Sequence, residues 1–200
     1  WKNVGFTDQP GGQIFMEYYT AVGKYHMAED WNGNCSDPCD LGAPLYAIGD
    51  GFVKNVQNDP NISKTIGKSL IVRYMLPDGS QVDSVYWHVQ DIYVSVDMNV
   101  RKGDLIATIG NAASNDYPDG RYPPHLHWEI RKSLDLSWNA NSYLNSVTYP
   151  NSIELHPSRP KSGALDYTSP SLFIDDRAKS DMHGLSVNNW TYFSVSSNAP

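Results

Sequence analysis

Hydrophobic and polar residues alternate most regularly between Leu70 and Val89. The run Leu70-Ile-Val-Arg-Tyr-Met-Leu76, the turn Pro77-Asp-Gly79 and the segment from Gln81 to Val89 predict a β-hairpin, the clearest in the chain. Side chains alternate across a strand, so Val82, Ser84, Tyr86 and His88 should share one face. Val85, Trp87 and Val89 then read as the core face. Upstream, Gly42-Ala-Pro-Leu-Tyr-Ala-Ile-Gly-Asp-Gly-Phe-Val53 predicts two short strands broken at Gly49-Asp-Gly51. Downstream, a turn at Lys102-Gly-Asp104 feeds an apolar strand that ends at Gly110. A loop rich in Asn, Asp, Gly and Pro then runs from Asn111 to Pro124.

The two ends of the chain are less regular. Turn residues Asp8-Gln-Pro-Gly-Gly12 precede Ile14-Phe-Met-Glu-Tyr-Tyr19, which reads as an entry strand or an irregular segment leading to His26. From about Ser137 to Pro200 the pattern is broken by Pro150, Pro157, Pro160 and Pro170. The apolar pieces Leu172-Phe-Ile174 and Trp190-Thr-Tyr-Phe-Ser-Val195 predict loops with one or two edge strands wrapped on the domain. A separate interaction module there would have a marginal core. No stretch sustains a 3.6-residue apolar period, so helix should be minor. The expectation is a mainly β chain of antiparallel sheets, a single domain over 1–200 with its core at about 24–132 and an irregular C-terminal extension over 137–200.

Composition narrows the function classes. Thirteen tyrosines and six tryptophans, with abundant Gly, Pro, Asn and Ser, favour strands and turns. A formal net charge of −7 argues against nucleic acid as a partner, because phosphate binding needs a basic surface. No apolar run approaches the roughly 20 residues that span a bilayer as a helix. The chain starts at Trp1 with no signal peptide, which fits a processed or trimmed product. Its two cysteines, Cys35 and Cys39, lack the further ligands of a zinc knuckle. A small-loop disulfide in an exported protein is the preferred reading over two free thiols, and would stabilise by about 2 kcal/mol. The Asn-x-Ser/Thr triplets at Asn34, Asn61 and Asn189 matter only in a eukaryotic secretory route.

The candidate chemistry lies in His125-Leu-His127 and His26-Met-Ala-Glu-Asp30. On a strand, His125 and His127 aim two imidazoles into one cleft while Leu126 and Trp128 turn away. Imidazole is both the commonest metal ligand and the natural acid–base group near neutral pH. With His26 and Asp30 brought alongside, the set would make a three-ligand zinc centre with an open position. Six histidines in 200 residues make a His-x-His pair common by chance, and a lone histidine is ordinarily a hydrogen-bonded structural residue.

Context carries the reading further. In order, the chain presents His26-x3-Asp30, Gly42-Ala-Pro-Leu-Tyr-Ala, Gly49-Asp-Gly-Phe-Val53, Tyr86-Trp-His88, Val100-Arg-Lys-Gly-Asp104 with Ile109-Gly110, and Pro124-His-Leu-His-Trp-Glu-Ile-Arg131. Over roughly residues 24–132 this set resembles the lysostaphin/LytM-type zinc endopeptidases of bacterial cell-wall metabolism. The resemblance implies an antiparallel β fold with a groove, one Zn2+ per chain, and cleavage of peptidoglycan stem peptides or cross-bridges. It implies His26, Asp30 and His127 as metal ligands, and His88 and His125 as unligated catalytic imidazoles. His125 would take the proton of the attacking water, and His88 would orient that water or steady the tetrahedral intermediate. An exported monomer, extracellular or periplasmic, is the corresponding expectation.

Several residues stand beside that pattern. Glu129 shares the strand face of the histidine pair and is read as either a partner that fixes a ligand tautomer or a solvent- or arginine-paired carboxylate. Tyr86 is read as a cross-strand structural aromatic in preference to a groove residue. His156 and His183 read as surface histidines. Where the family usually has glycine two residues after the first ligand, this chain has Ala28, which is tolerable unless φ there is positive. Gly120-Arg-Tyr-Pro-Pro124 replaces the usual approach to the histidine pair, and the Cys35–Cys39 insertion would form a rim loop. The competing readings are a non-catalytic wall-associated module that regulates another hydrolase, and an endopeptidase for other glycine-rich extracellular peptides.

Overall fold

A computed structural model of the chain describes residues 2–3, 15–19, 23–32, 40–61, 63, 65–111, 123–132, 134, 136–139, 143–144 and 167–182. The expected turn at Asp8–Gly12, the Cys35 and Cys39 loop, His156, His183 and the Trp190–Val195 segment lie outside the described residues.

The strands are β1 (Lys2–Asn3), β2 (Tyr18–Tyr19), β3 (Lys24–His26), β4 (Glu29–Asn32), β5 (Pro44–Tyr46), β6 (Gly51–Gln57) and β7 (Lys68–Met75). They continue with β8 (Gln81–Ile92), β9 (Asn99–Val100), β10 (Leu105–Ile109), β11 (Leu126–Arg131), β12 (Tyr143–Leu144) and β13 (Tyr167–Thr168), and end with helix α1 (Pro170–Met182). Ten strands form one antiparallel sheet with the path β1-β4-β11-β8-β7-β6-β9, with β10 joining β8 to β5 and β13 joining β11. A small sheet, β12-β3-β2, carries His26 at the end of its central strand.

The predicted hairpin is β7–β8, and it forms the middle of the large sheet. One face of the sheet carries the main core: Leu70, Val72 and Tyr74 of β7, Val82 and Tyr86 of β8, Leu126, Trp128 and Ile130 of β11. Each fully buried side chain of this size contributes about 1.5–3 kcal/mol. Trp128 stacks on Tyr86 with ring centroids 6.5 Å apart, and its Nε1–H donates to Ser84 Oγ at 2.8 Å. The Tyr86 hydroxyl meets the Tyr74 hydroxyl at 3.1 Å, so Tyr86 is a cross-strand structural aromatic.

The opposite face carries the polar alternates of β11: His127, Glu129 and Arg131. Its far end is covered by the segment after β11. Leu134 O accepts from Lys54 Nζ at 2.5 Å and Arg73 Nη2 at 3.0 Å, and Ser137 O accepts from Arg131 Nη1 at 2.6 Å.

The simple alternation expected for β8 fails at its end. Ser69 pairs with Trp87 while the preceding Lys68 pairs with Val89, so His88 is an extra, bulged residue. Its φ of 61° is in the left-handed region, uncommon for a side chain of this size. The bulge reverses the facing: Val89 joins the core with Tyr86, and His88 turns to the side of Trp87. Val85 and Trp87 share a face and are buried as expected, but in a second cluster with Ile66 and Ile71 on the functional side of the sheet; only Val89 lies instead in the main core, with Val82 and Tyr86.

The C-terminal extension contains edge strands as expected, β13 on β11 and β12 on β3. It also contains a 13-residue helix that the apolar pattern does not reveal. Leu172, Phe173 and Ile174 are consecutive, not spaced three or four apart. Pro170 is not a breaker here; it occupies the first helical position, where its missing N–H costs nothing. Ser169 is the N-cap, with its Oγ accepting Leu172 N–H at 3.4 Å and its carbonyl accepting Phe173 N–H at 2.9 Å.

Candidate metal centre and active site

Three strands bring His26, Asp30 and His127 together. β4 pairs with β11 so that Asp30 lies directly opposite His127. His26 comes from the neighbouring sheet, where its backbone is braced by Glu17 O accepting His26 N–H at 2.9 Å and His26 O accepting Met16 N–H at 2.6 Å. Between His26 and Asp30 the chain turns a corner through Met27 and Ala28, both fully buried. Met27 packs against Phe15, Met16 and Tyr167. The only positive-φ residues other than glycine among the described residues are Met16, His88 and Asp97, so Ala28 sits without strain where the family pattern has glycine.

His26 Nε2 lies 3.2 Å from His127 Nδ1, His127 Nδ1 lies 3.1 Å from Asp30 Oδ1, and His26 Nε2 lies 3.6 Å from Asp30 Oδ1. Zinc bonds of about 2.0–2.1 Å in a tetrahedral site place donor atoms about 3.3 Å apart. The three atoms thus have the dimensions of one face of such a tetrahedron, and the donor set of two imidazoles and a carboxylate suits zinc.

The other nitrogen of His127 fixes its tautomer. Nε2–H donates to Glu129 Oε1 at 3.1 Å, and Glu129 Oε2 accepts from Arg131 Nε at 2.6 Å. The chain Asp30–His127–Glu129–Arg131–Ser137 O runs along a single strand face, with Glu129 and Arg131 fully buried. The second reading of Glu129 holds in part, since it is paired with arginine, but it is also the carboxylate that orients His127. Trp87 stacks on the same imidazole, with centroids 4.5 Å apart and planes 10° from parallel.

His88 and His125 meet beside this cluster, ring centroids 4.7 Å apart and edge to face. His88 lies 5.7 Å from His127 by the same measure. Each has its Nδ1–H tied to a backbone carbonyl: His88 to Ile66 O at 3.1 Å and His125 to Pro123 O at 2.7 Å. In the neutral ring this leaves Nε2 as the acceptor in both. His88 is seated where β8 changes neighbours along one edge, from β11 at Asp83–Trp87 to β10 at Val89 and Ile92. His88 O accepts Gly110 N–H at 2.7 Å at that junction. A Cβ on Gly110 would come within 2.8 Å of His88 O and Gln90 N, so only glycine fits.

The electrostatics follow from burial and neighbours. Burial alone would raise the Asp30 carboxyl, but His26 and the hydrogen bond from His127 outweigh it and hold it far below the usual carboxylate range. Burial would lower His127, yet Asp30 and Glu129 push it up to about 9. For Glu129, burial would raise the carboxyl, but Arg131 and then His127 hold it low. His88 goes the other way: burial, then the nearby His125 and His127, push it well below the ordinary imidazole range. It stays neutral at physiological pH.

The five expected site residues therefore converge, in two groups that touch. Sequence reasoning left three contributors out. Trp87 reads as a core residue until the β8–β11 register sets it beside His127. Arg131 was within reach of a signal, since it follows His127 by four residues on the same strand face. Glu29, next to Asp30, takes its role from residues about 140 positions away.

A search of curated protein sequences finds no match. Among solved structures the chain is similar to LytU, at 20% identity over 88% of this chain and 90% of that chain, with a TM-score of 0.53. It is similar also to the catalytic domain of lysostaphin from Staphylococcus simulans, at 18% identity over 68% and 86% of the two chains and a TM-score of 0.44. A zinc-containing peptidase from Vibrio cholerae matches at 22% identity and a TM-score of 0.44, over 74% of this chain and 38% of that one. The LytU likeness shows the fold. The sequence profile of peptidase family M23 matches residues 36–143, more than half of the chain and including His88, His125 and His127. The chain belongs to peptidase family M23.

Proposed function

We propose that this protein is a zinc-dependent endopeptidase that hydrolyses peptide bonds in peptidoglycan stem peptides or cross-bridges, outside the cytoplasm. The observation that carries the proposal is the triangle of His26 Nε2, Asp30 Oδ1 and His127 Nδ1, with spacings of 3.1–3.6 Å, beside two histidines whose Nδ1 atoms are tied back. His26, Asp30 and His127 would hold one Zn2+, which when bound supplies an electrophile that acidifies water and polarises the scissile carbonyl.

The chain's own groups do the rest. His125 Nε2 accepts the proton of the attacking water and returns it to the leaving amine. His88, kept neutral by burial and with its Nδ1–H tied to Ile66 O, presents Nε2 as an acceptor that orients the attacking water for His125. Glu129 holds His127 in the tautomer that presents Nδ1. No His-Glu-x-x-His helix is present in the sequence, which leaves these two histidines as the acid–base groups.

In the extension β12 pairs with β3, β13 pairs with β11 and Phe173 of α1 enters the main core, which supports reading 1–200 as one domain; a monomer is the state we propose for it. The test is a digest of defined muropeptides by metal-replete protein, followed by mass spectrometry and elemental analysis. One zinc per chain and new amino termini are expected. His125→Ala should lose turnover by about 10²–10⁴-fold with the metal retained. Protein that carries zinc and binds sacculi but releases no amines would instead make this a non-catalytic wall module. Cleavage confined to glycine-rich proteins would move the substrate.

A further inference from the structure

Glu29 is fully buried immediately beside Asp30, and its carboxylate accepts hydrogen bonds from Trp31, Ser169 and Ser171 among the described residues. Oε1 accepts from Ser169 Oγ at 2.6 Å and Ser171 Oγ at 2.8 Å, and Oε2 from Trp31 Nε1 at 3.0 Å and Ser171 N–H at 3.2 Å. Three of these donors belong to the first turn of α1 and its cap. The positive end of the helix and its orphan N–H groups suit a buried carboxylate. Each oxygen thus accepts from at least two donors, as an ionised carboxylate can.

The location gives this bond set its consequence. β4 is four residues long and meets β11 over three residue pairs, Glu29–Trp128, Asp30–His127 and Trp31–Leu126. Asp30 points to the metal-site face, and its two strand neighbours point to the core face. Trp31 is packed edge to face on Trp128 with centroids 5.5 Å apart, and it donates to Glu29. Asp30 is thus held between two residues that are each fixed from behind, one of them by a segment about 140 residues later. That segment is itself laid on the ligand strand, since β13 pairs with β11 at Ile130 and Arg131 and Phe173 enters the main core.

We propose that Glu29 is a positioning residue for the metal site, and that Ser169 and Ser171 at the start of α1 are the clamp through which it acts. The clamp sets the backbone of β4 so that Asp30 Oδ1 stays in the triangle with His26 and His127. It couples the C-terminal segment to metal affinity without touching the metal. This rests on the reading of His26, Asp30 and His127 as ligands.

The experiment uses Co2+ as probe on the full chain, with affinity read by chelator competition and geometry by the visible absorption bands. Glu29→Gln turns an amide toward N–H donors, and the pair Ser169→Ala with Ser171→Ala removes the hydroxyls. Each should weaken Co2+ binding about tenfold and shift the bands. Ser169→Thr with Ser171→Thr keeps the hydroxyls and should restore both readouts. Val53→Ala, a core truncation on β6 away from β4, β11 and α1, should lower the melting temperature and leave affinity within twofold. Unchanged affinity in the alanine pair, or an equal loss in Val53→Ala, overturns the clamp while wild type still binds one Co2+. Failure of wild type to bind one Co2+ overturns the ligand reading and the clamp with it.

Discussion

His127 is held from both sides by carboxylates: Asp30 Oδ1 lies 3.1 Å from its Nδ1, and Glu129 Oε1 lies 3.1 Å from its Nε2. The two contacts do different work. The first is part of the proposed coordination triangle. The second decides which nitrogen faces it, and Arg131 keeps that second carboxylate ionised.

Glu129→Gln should therefore act on metal binding more than on substrate binding. The amide can present its N–H₂ to His127 and invert the tautomer, and it leaves the buried Arg131 guanidinium without its counter-charge. Metal affinity should drop about 10- to 100-fold. Stability should fall by roughly 3–5 kcal/mol, the usual cost of breaking a buried ion pair. Chelator competition and denaturant unfolding read the two effects; an unchanged metal affinity would remove Glu129 from the site.

Metal uptake should release a proton. His127, pushed up to about 9, is protonated at pH 7, whereas Asp30 is already ionised. Binding must expel the His127 proton, so affinity should rise about tenfold per pH unit from this group until pH approaches 9. Calorimetric titration in buffers of different ionisation enthalpy should report about one proton released by His127 at pH 7. No buffer dependence would contradict the geometry of the Asp30–His127–Glu129 triad.

Gly110→Ala should disable the protein through His88. The new Cβ would meet the backbone at His88 O and Gln90 N, which are 2.8 Å away and have little room to yield. A stability loss of about 1–3 kcal/mol is expected from overpacking of this kind. Peptide hydrolysis should fall much further than thermal stability, because the bulge that turns His88 onto the functional face is what the methyl displaces. Equal kcat in variant and wild type would show that the bulge has no catalytic part.

Alkaline pH should unfold the protein through Tyr74 and Tyr86. Burial raises both phenols, Tyr74 well above its ordinary value and Tyr86 to about 12. The folded state binds these protons more tightly than the unfolded chain, whose tyrosines titrate near 10. Stability is therefore constant below pH 10 and falls as pH rises from about 10 through 12, by roughly 3 kcal/mol for Tyr86. Melting temperature against pH, compared with Tyr74→Phe paired with Tyr86→Phe, checks this: the double variant should lose the steep alkaline limb.

Much of the scaffold could be read from the sequence because its signals are local. The β7–β8 hairpin shows alternation and a Pro-Asp-Gly turn, and His125 and His127 fall on one face by the period of a strand. The rest depends on contacts the pattern does not encode. One extra residue at His88 exchanges the faces of His88 and Val89, so counting places Val85 and Trp87 together but puts His88 on the wrong side. Helix α1 begins at a proline and clusters its apolar residues at Leu172–Ile174, which removes both helix signals. Glu29 reads as an ordinary strand carboxylate until Ser169 and Ser171 are brought against it.

The stacking of Trp87 on His127, centroids 4.5 Å apart, gives the protein an optical readout of its own chemistry. An indole in van der Waals contact with an imidazole senses what that imidazole binds. A paramagnetic ion at the His127 Nδ1 position should quench Trp87 emission strongly, and Trp87→Phe, which preserves an aromatic ring over the imidazole, should abolish that quenching against the background of the other five tryptophans. Loading, exchange and loss of metal can then be followed in real time on unlabelled protein.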